Sequence, residues 1–361
     1  MNEKKIKVYF VLPTLFAGGA ERVISFVSQN LDKTKFDSTL VVIGFEKDKK
    51  YDVEGIKVCY LNKDRVMSAT LPLIKIFRKE KPLVVMSAIS HLNIMMGLIS
   101  ILFPKIKFIG RHTIVSQDTI KIKVEKKTST KRRVLKSFDF AYKLLDVILC
   151  QSNDMYNDVK DKYDIPEQKL RTINNPITDN FKLKSIPNTK SKTIKFVTVA
   201  RLKKLKGHKR ILDCLSKIDY PFQYTIIGSG PEKDNIFVQA KELGIEDKIT
   251  HIPYTNEVSK YLSENDFYLQ ASYAEGFPNC LIESCSVGTP AIAFKAPGGL
   301  NEIIEDGLNG FLVESEEQFI EKLNHKQDWF PEKIRDSVYK KFNRNKILKE
   351  YENLFIDVVN N

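Results

Sequence analysis

The sequence predicts an α/β fold: two Rossmann-like domains, each a mostly parallel, doubly wound sheet, facing across a cleft. Three observations predict it. Short apolar runs alternate with segments of helical spacing along the whole chain. The runs end repeatedly in glycine-bearing or charged loops. A polar, proline-bearing stretch at 174–192 divides the 361 residues into halves that repeat one plan. Strand–loop–helix repetition of this kind gives a parallel sheet covered on both faces, and this length is enough for two cores. The domains are set at 1–185 and 190–340. A terminal helical segment, 341–361, is able to pack on either domain, and a return to the first is the expected arrangement.

The elements follow in order. KVYFVLP (7–13) is an apolar run fit for a strand covered on both faces. TLFAGGA is a glycine-bearing loop, and ERVISFVSQNL has helical spacing at Val23, Ile24, Val27 and Leu31. STLVVIGF, IKVCYL, LVVMSAIS, KFIGRHT and VILCQS read as the next strands. In the second half KFVTVAR, YTIIGSG, ITHIPY, FYLQAS, TPAIAF and GFLV are the strands, with helices between them. The segment 331–359 reads as helix, with no strand signal after it. One stretch imitates a membrane span: from Pro82 to Pro104 there is no Lys, Arg, Asp or Glu. Its β-branched start, the polar break HLN and the apolar piece IMMGLISILF fit strand, turn and buried helix better than a single span.

Composition narrows the function. The chain is 42% hydrophobic and 29% charged with no low-complexity tract, which excludes a largely disordered protein. Its formal net charge is +13, and the excess lies in the first half: residues 1–185 hold 34 Lys and Arg against 20 Asp and Glu. Such asymmetry points to an anionic partner, whether nucleic acid, lipid surface or phosphorylated substrate, or to a solvated basic face. The five cysteines are scattered, without C-x-x-C, and read as free thiols of a reducing compartment. The N-terminal apolar run reads as a first strand rather than a signal peptide.

The chemistry concentrates in three stretches. In FYLQASYAEGFPNCLIESCSV, Glu275 falls in the loop at a strand's carboxyl end and Glu283 about one turn into the following helix, for which Asn279 is the expected N-cap and Pro278 the entry residue. The helix N-terminus between the two carboxylates suits an anion, and carboxylates accept strong hydrogen bonds from hydroxyls. A sugar nucleotide fits this layout, as does the plainer reading of two surface glutamates. In VARLKKLKGHKRIL, Arg201 and Lys206 follow a strand and are able to clamp a diphosphate, Arg201 bidentately and Lys206 as a point charge. In FAGGAERV, Gly18 and Gly19 precede a helix and let the backbone approach a phosphate or sugar. Neither G-x-G-x-x-G nor a Walker loop is present.

In this order GGAER, NNP, V-x-R-L-x4-KG, IIGSGP, EGFPNCLIES and GG-x2-EIIEDG-x-NGFLV resemble the retaining family-4 (group 1) glycosyltransferases of GT-B fold, over nearly the whole chain. The resemblance implies sugar transfer from a nucleotide donor with retention of anomeric configuration. It implies that Arg201 and Lys206 neutralise the leaving diphosphate and that Glu283 holds the ribose hydroxyls. Glu275 would contact the transferred sugar, and Gly19 would lie beside the diphosphate. Gly18, Gly228, Gly276, Phe277, Pro278, Asn279 and Leu281 complete the implied donor site. A histidine after a first-domain strand is implied to face the reacting sugar. His112 in FIGRHT and His91 in AISHLN are the candidates, and His112 is preferred. No D-x-D triplet occurs, so no metal or other cofactor is expected beyond the co-substrate. Ala200 stands where the family usually has glycine, and Pro253 where it often has glycine near the base, so the choice of UDP is an expectation.

The acceptor expected is a polyprenyl-diphosphate-linked intermediate of bacterial cell-surface polysaccharide synthesis, such as capsule or O-antigen. The run 121–138 holds eight Lys and Arg, among them Lys126, Lys127, Lys131, Arg132 and Arg133, against Glu125, with apolar residues between them. It is suited to an anionic inner-leaflet surface and equally to plain solvation. No nucleic-acid motif is present. A cytoplasmic protein peripherally attached to the membrane is expected. The competing readings are a UDP-sugar 2-epimerase of the same fold and a non-catalytic binding scaffold.

Overall fold

The structure is a computed structural model and describes residues 5–115, 140–179, 181–185 and 193–360. The basic run with Lys126, Lys127, Lys131, Arg132 and Arg133 lies outside the described residues. The chain forms two compact units, divided at Thr178/Asp179 and again at Asn343/Arg344.

The first unit is built on a seven-stranded, wholly parallel sheet: β1 Ile6–Leu12, β2 Phe36–Val42, β3 Lys57–Tyr60, β4 Val84–Ala88, β5 Lys107–Arg111, β6 Val147–Cys150 and β7 Leu170–Thr172. Its order is β3-β2-β1-β4-β5-β6-β7. Val8 through Leu12 are all buried because both faces of β1 are covered. Strand β7 escaped the sequence reading: three residues with one apolar side chain leave no periodic signal. The helices are α1 Gly19–Asn30, α2 Thr70–Glu80, α3 Ser90–Ser100 and α4 Asn153–Tyr163. Helix α3 corrects one expectation. His91, Leu92 and Asn93 are not a break but its first turns, since Asn93 is buried and bonded to Ser87 Oγ and to the Arg111 carbonyl.

The second unit carries a six-stranded parallel sheet of β8 Ile194–Val199, β9 Phe222–Ile227, β10 Ile249–Ile252, β11 Phe267–Gln270, β12 Ala291–Phe294 and β13 Gly310–Val313, in the order β10-β9-β8-β11-β12-β13. Its helices are α5 His208–Leu215, α6 Lys233–Glu242, α7 Val258–Glu264, α8 Asn279–Ser286, α9 Leu300–Ile303, α10 Glu316–Asn324 and α11 Pro331–Phe342. Each sheet reverses its direction of winding once, between β1 and β4 and between β8 and β11. Ligands of open α/β sheets bind outside the carboxyl ends of the strands at such a switch point.

The last helix, α12 Arg344–Asn360, belongs to the first unit. Its buried residues Ile347, Tyr351, Phe355 and Val358 recur at helical spacing. Phe355 meets Phe10 and Phe36 edge-on, with centroids 5.8 and 6.2 Å away. Glu352 Oε1 accepts from the Asp32 N–H just beyond α1, at 3.0 Å. Truncating Phe355 to Ala should destabilise the first unit by about 3–5 kcal/mol, read as a lowered midpoint in denaturant unfolding. A loss below about 1 kcal/mol would show that α12 is a loosely attached tail.

Candidate active site

The site in the second unit assembles where its sheet reverses. Beyond β8 the backbone clasps the loop beyond β9: the Ala200 N–H donates to Ile227 O, the Leu202 N–H to Ser229 O, and the Glu232 N–H to Leu202 O, each at 3.0 Å. Leu202 is buried and Arg201 is turned out to solvent. A single 3-10 turn, Lys204–Lys206, then leads into Gly207, which has a left-handed φ of 64° and packs so tightly that a Cβ would strike the Ala271 carbonyl. The Tyr273 N–H donates to Leu205 O at 2.8 Å, tying this turn to the loop beyond β11.

That loop carries Glu275. Its N–H donates to Pro297 O at 2.9 Å, and the adjoining Gly298, at φ 120°, leaves no room for a Cβ beside the Glu275 carbonyl. Loops from β8, β11 and β12 are therefore pressed together by backbone contacts that require glycine. The result is an ion pair across two of them: Lys206 Nζ lies 2.6 and 2.7 Å from the two Glu275 carboxylate oxygens. Both side chains are largely withdrawn from water, at 20% and 11% exposure. Two groups placed apart in sequence as diphosphate clamp and sugar contact are here each other's partner.

Helix α8 follows. It begins at Asn279, with Pro278 at the cap, so Asn279 is the first helical residue rather than the cap. Glu283 is buried in its second turn. Beneath it Tyr268 is buried, and its hydroxyl is held well above the usual phenol range, first by burial and then by Cys280 and the carboxylates of Glu275 and Glu283. Phe277 packs edge-on to Phe342 of α11 at 5.4 Å, which fixes the Gly276–Phe277–Pro278 loop from behind. Leu281 lies in the first turn of α8. Its side chain is fully buried on the core face of α8, and its N–H donates to Pro278 O at 3.1 Å. Gly228 closes β9, donating to Ile252 O at 2.8 Å.

His208 was not foreseen. It opens α5, is almost fully buried, and its Nε2 lies 3.3 Å from the Arg201 carbonyl, which it holds in place. Only its position directly after Lys206-Gly207 signalled it. Burial pushes its pKa down to about 4.

In the first unit Gly18 caps α1 and Gly19 is its first residue. Glu21 folds back over Gly18, and the Tyr51 hydroxyl donates to the Gly18 carbonyl at 3.2 Å. The two histidines separate clearly. His112 is 3% exposed. Its Nδ1 lies 3.2 Å from the Tyr142 hydroxyl, and Tyr142 and Tyr163 pack edge-on to its ring. Burial lowers its pKa to about 4, so the ring is neutral. The preferred histidine is thus an interior group in this arrangement. His91 is exposed and follows β4 at the switch point, directly after Ser90 and the strained Ile89, whose φ is 81°. A β-branched residue there is an outlier of the kind that clusters at functional sites. His91 lines a cavity of about 520 Å³ with Pro13, Thr14, Lys63, Arg65 and Met67.

Comparison with known proteins points to one family. The family model described as Glycosyltransferase Family 4 matches residues 17–181, and that described as Glycosyl transferases group 1 matches residues 179–330. A protein of Haemophilus influenzae named an uncharacterized glycosyltransferase is 28% identical over 325 residues, 85% of each chain. A Campylobacter jejuni enzyme is 29% identical over 174 residues, 48% of each chain; its name is N-acetylgalactosamine-N,N'-diacetylbacillosaminyl-diphospho-undecaprenol 4-alpha-N-acetylgalactosaminyltransferase. Among solved structures, the lipopolysaccharide outer core galactosyltransferase WaaB has a TM-score of 0.76 at 19% identity, covering 97% of this chain and 99% of its own. HepE of Anabaena, solved with UDP and glucose, has a TM-score of 0.77 at 16% identity, covering 98% and 100%.

Two outcomes are expected. Lys206→Met leaves the Glu275 carboxylate half-enclosed without its cation and should lower stability by about 1–3 kcal/mol. Adding Glu275→Gln should restore much of it, and an additive double-mutant cycle would show the pair to be uncoupled. His112 and His208 have folded pKa values near 4 against an ordinary 6.5. The unfolded chain therefore takes up protons first as pH falls. The stability from these neutral rings is full above about pH 6.5 and is lost toward pH 4. Melting curves should show Tm falling across that window, less steeply in His208→Gln.

Proposed function

The chain belongs to the group 1 glycosyltransferases of GT-B fold, and we propose that within that family it is a retaining enzyme. On this reading it moves a hexose or N-acetylhexosamine from a nucleotide sugar, UDP-linked, to a polyprenyl-diphosphate-linked glycan at the inner membrane surface. The observation that carries the donor half lies at the second sheet's switch point: Arg201 exposed just beyond β8, and Lys206 at the end of the following turn paired with Glu275 from the loop beyond β11.

The reaction needs charge stabilised on a departing diphosphate. Arg201 lies just beyond β8 and Lys206 is held at the end of the next turn by Glu275, and donors in place where charge develops are worth most. Donor binding exchanges the partner of Lys206 from the Glu275 carboxylate to phosphate oxygens. Glu275 is then released to accept from hydroxyls of the transferred sugar, and Glu283 accepts from the ribose. The bond between the anomeric carbon and the phosphate oxygen breaks as the acceptor oxygen bonds to the same face of that carbon. The acceptor proton passes to the departing phosphate oxygen. Because the two cations carry the leaving-group charge, the mechanism calls for no divalent metal.

The acceptor half rests on chemistry of the first unit. The cavity at its switch point combines Lys63, Arg65 and His91, set against the single acid Asp64, with Pro13, Ile43, Val66 and Met67, a net basic and partly apolar lining that suits an anionic headgroup joined to an apolar chain. His91 is read as the histidine that meets the acceptor and His112 as a buried support. The name of the Campylobacter relative, with its diphospho-undecaprenol acceptor, favours the same class. The net charge of +13 favours an anionic surface.

The test is a panel of nucleotide sugars offered with a polyprenyl-diphosphate glycan. One donor should be consumed, with transfer unaffected by a chelator and with an α-linked donor giving an α-linked product. Arg201→Ala should lower kcat by about 10²–10³. Absence of donor binding by calorimetry, or an inverted product, would overturn the reading.

A further inference from the structure

We propose that the outward face of α3, with the start of α2 beside it, is a surface that this chain inserts into an anionic bilayer. The proposal rests on the lipid-linked acceptor reading only in that such an acceptor sets the reaction at a membrane.

A helix at the surface of a globular unit normally turns charged residues outward. Helix α3 does not. Between Pro82 and Pro104 the chain has no charged residue. The outward stripe of α3 and the turn after it is Ile94, Leu98, Ile101 and Leu102, of which the last three are 46%, 60% and 53% exposed. These positions recur at intervals of three and four, so they lie on one side of the helix. Both flanks of α3 are packed: Thr70 Oγ1 meets Met95 Sδ at 3.2 Å on one side, and Gly97 abuts the Ala141 carbonyl on the other. The apolar stripe between them is therefore the surface itself. It is extended on the α2 side by Met67 and Leu71, 71% and 70% exposed, and on the far side by Phe140 at 58%. No helix among the described residues is long and apolar enough to cross a membrane, so the stripe serves at a surface.

The charge around the stripe selects the occupant. Residues 63–107 hold eight Lys and Arg and two acids, Asp64 and Glu80. Glu80 is paired with Lys7 at 3.8 Å. Lys75, Arg78 and Lys79 stand exposed on α2. Two copies of this chain docking face to face would bring those cations against each other. An anionic lipid surface instead attracts them while accepting the leucines and isoleucines. The same rim borders the cavity of Lys63, Arg65 and His91, since Met67 lines both.

The experiment is sedimentation of the full chain with phosphatidylcholine vesicles that contain or lack phosphatidylglycerol. The native protein should bind the anionic vesicles, less tightly as salt rises. Leu98→Glu with Leu102→Glu should lower the partition coefficient at least about tenfold, with Tm and transfer to a water-soluble acceptor unchanged. A second variant, Lys75→Glu with Arg78→Glu and Lys79→Glu, should weaken binding and flatten its salt dependence. Unaltered vesicle binding in the leucine variant overturns the proposal. So does a native dimer that the same variant converts to monomer. Transfer to the lipid-linked acceptor in detergent by a protein that ignores vesicles would sink this surface and leave the acceptor reading standing. Vesicle binding through this face without any such transfer would do the reverse.

Discussion

The candidate site of this enzyme depends on the ion pair between Lys206 and Glu275. Neither residue sits on a strand or a long helix. One closes a single 3-10 turn and the other rides an irregular loop. Such loops hold a charged pair only when the backbone beneath them is immobile. Immobility here comes from contacts that exclude any Cβ, Gly207 against Ala271 and Gly298 against Glu275, and from the hydrogen bond between Tyr273 and Leu205. The pair also solves an electrostatic problem. A lysine and a glutamate both withdrawn from water need partners, and each serves the other. The fold thereby holds both charges without exposing either singly.

The first unit repeats the architecture with different contents. Its switch point lies between β1 and β4, and the loops there bring together Thr14, Lys63, Arg65 and His91. The buried polar groups nearby are bound to one another rather than to the surface. Asn93 joins Ser87 to the Arg111 carbonyl, Arg111 donates to Asn175, and His112 meets Tyr142. A network of this kind fixes β4, β5 and the chain leaving the unit in one arrangement. Helix α12 then seals the opposite side of the sheet through Phe355.

Much of this was legible in the residues. Twelve of the thirteen described strands were legible as short strand-like runs, most of them because a parallel strand inside the sheet is buried on both faces and does not alternate. The missed one, β7, contributes a single buried leucine. The break expected at His91–Asn93 failed for a related reason. Asn93 looked like a turn residue, but it is a buried helical residue whose amide is satisfied by the tertiary fold. Arg201, Lys206, Glu275 and Glu283 were legible as a set because strand ends and a helix start fix their positions in sequence. For Leu281, grouped with the donor residues, helical periodicity turns the side chain to the core. His208 was passed over because only burial distinguishes it from a surface histidine.

The sequence by itself determined the two parallel sheets, the family, and which charged residues lie at strand ends, since periodicity and loop chemistry are local properties. The tertiary structure decided who meets whom: that Lys206 faces Glu275, that His112 is enclosed while His91 lines a cavity, and that the stretch 82–104 is a buried strand and then a helix that turns Leu98 to the outside. These are outcomes of packing between segments tens of residues apart. Burial and partner choice depend on which distant backbone comes within hydrogen-bonding distance, and no local pattern encodes that distance.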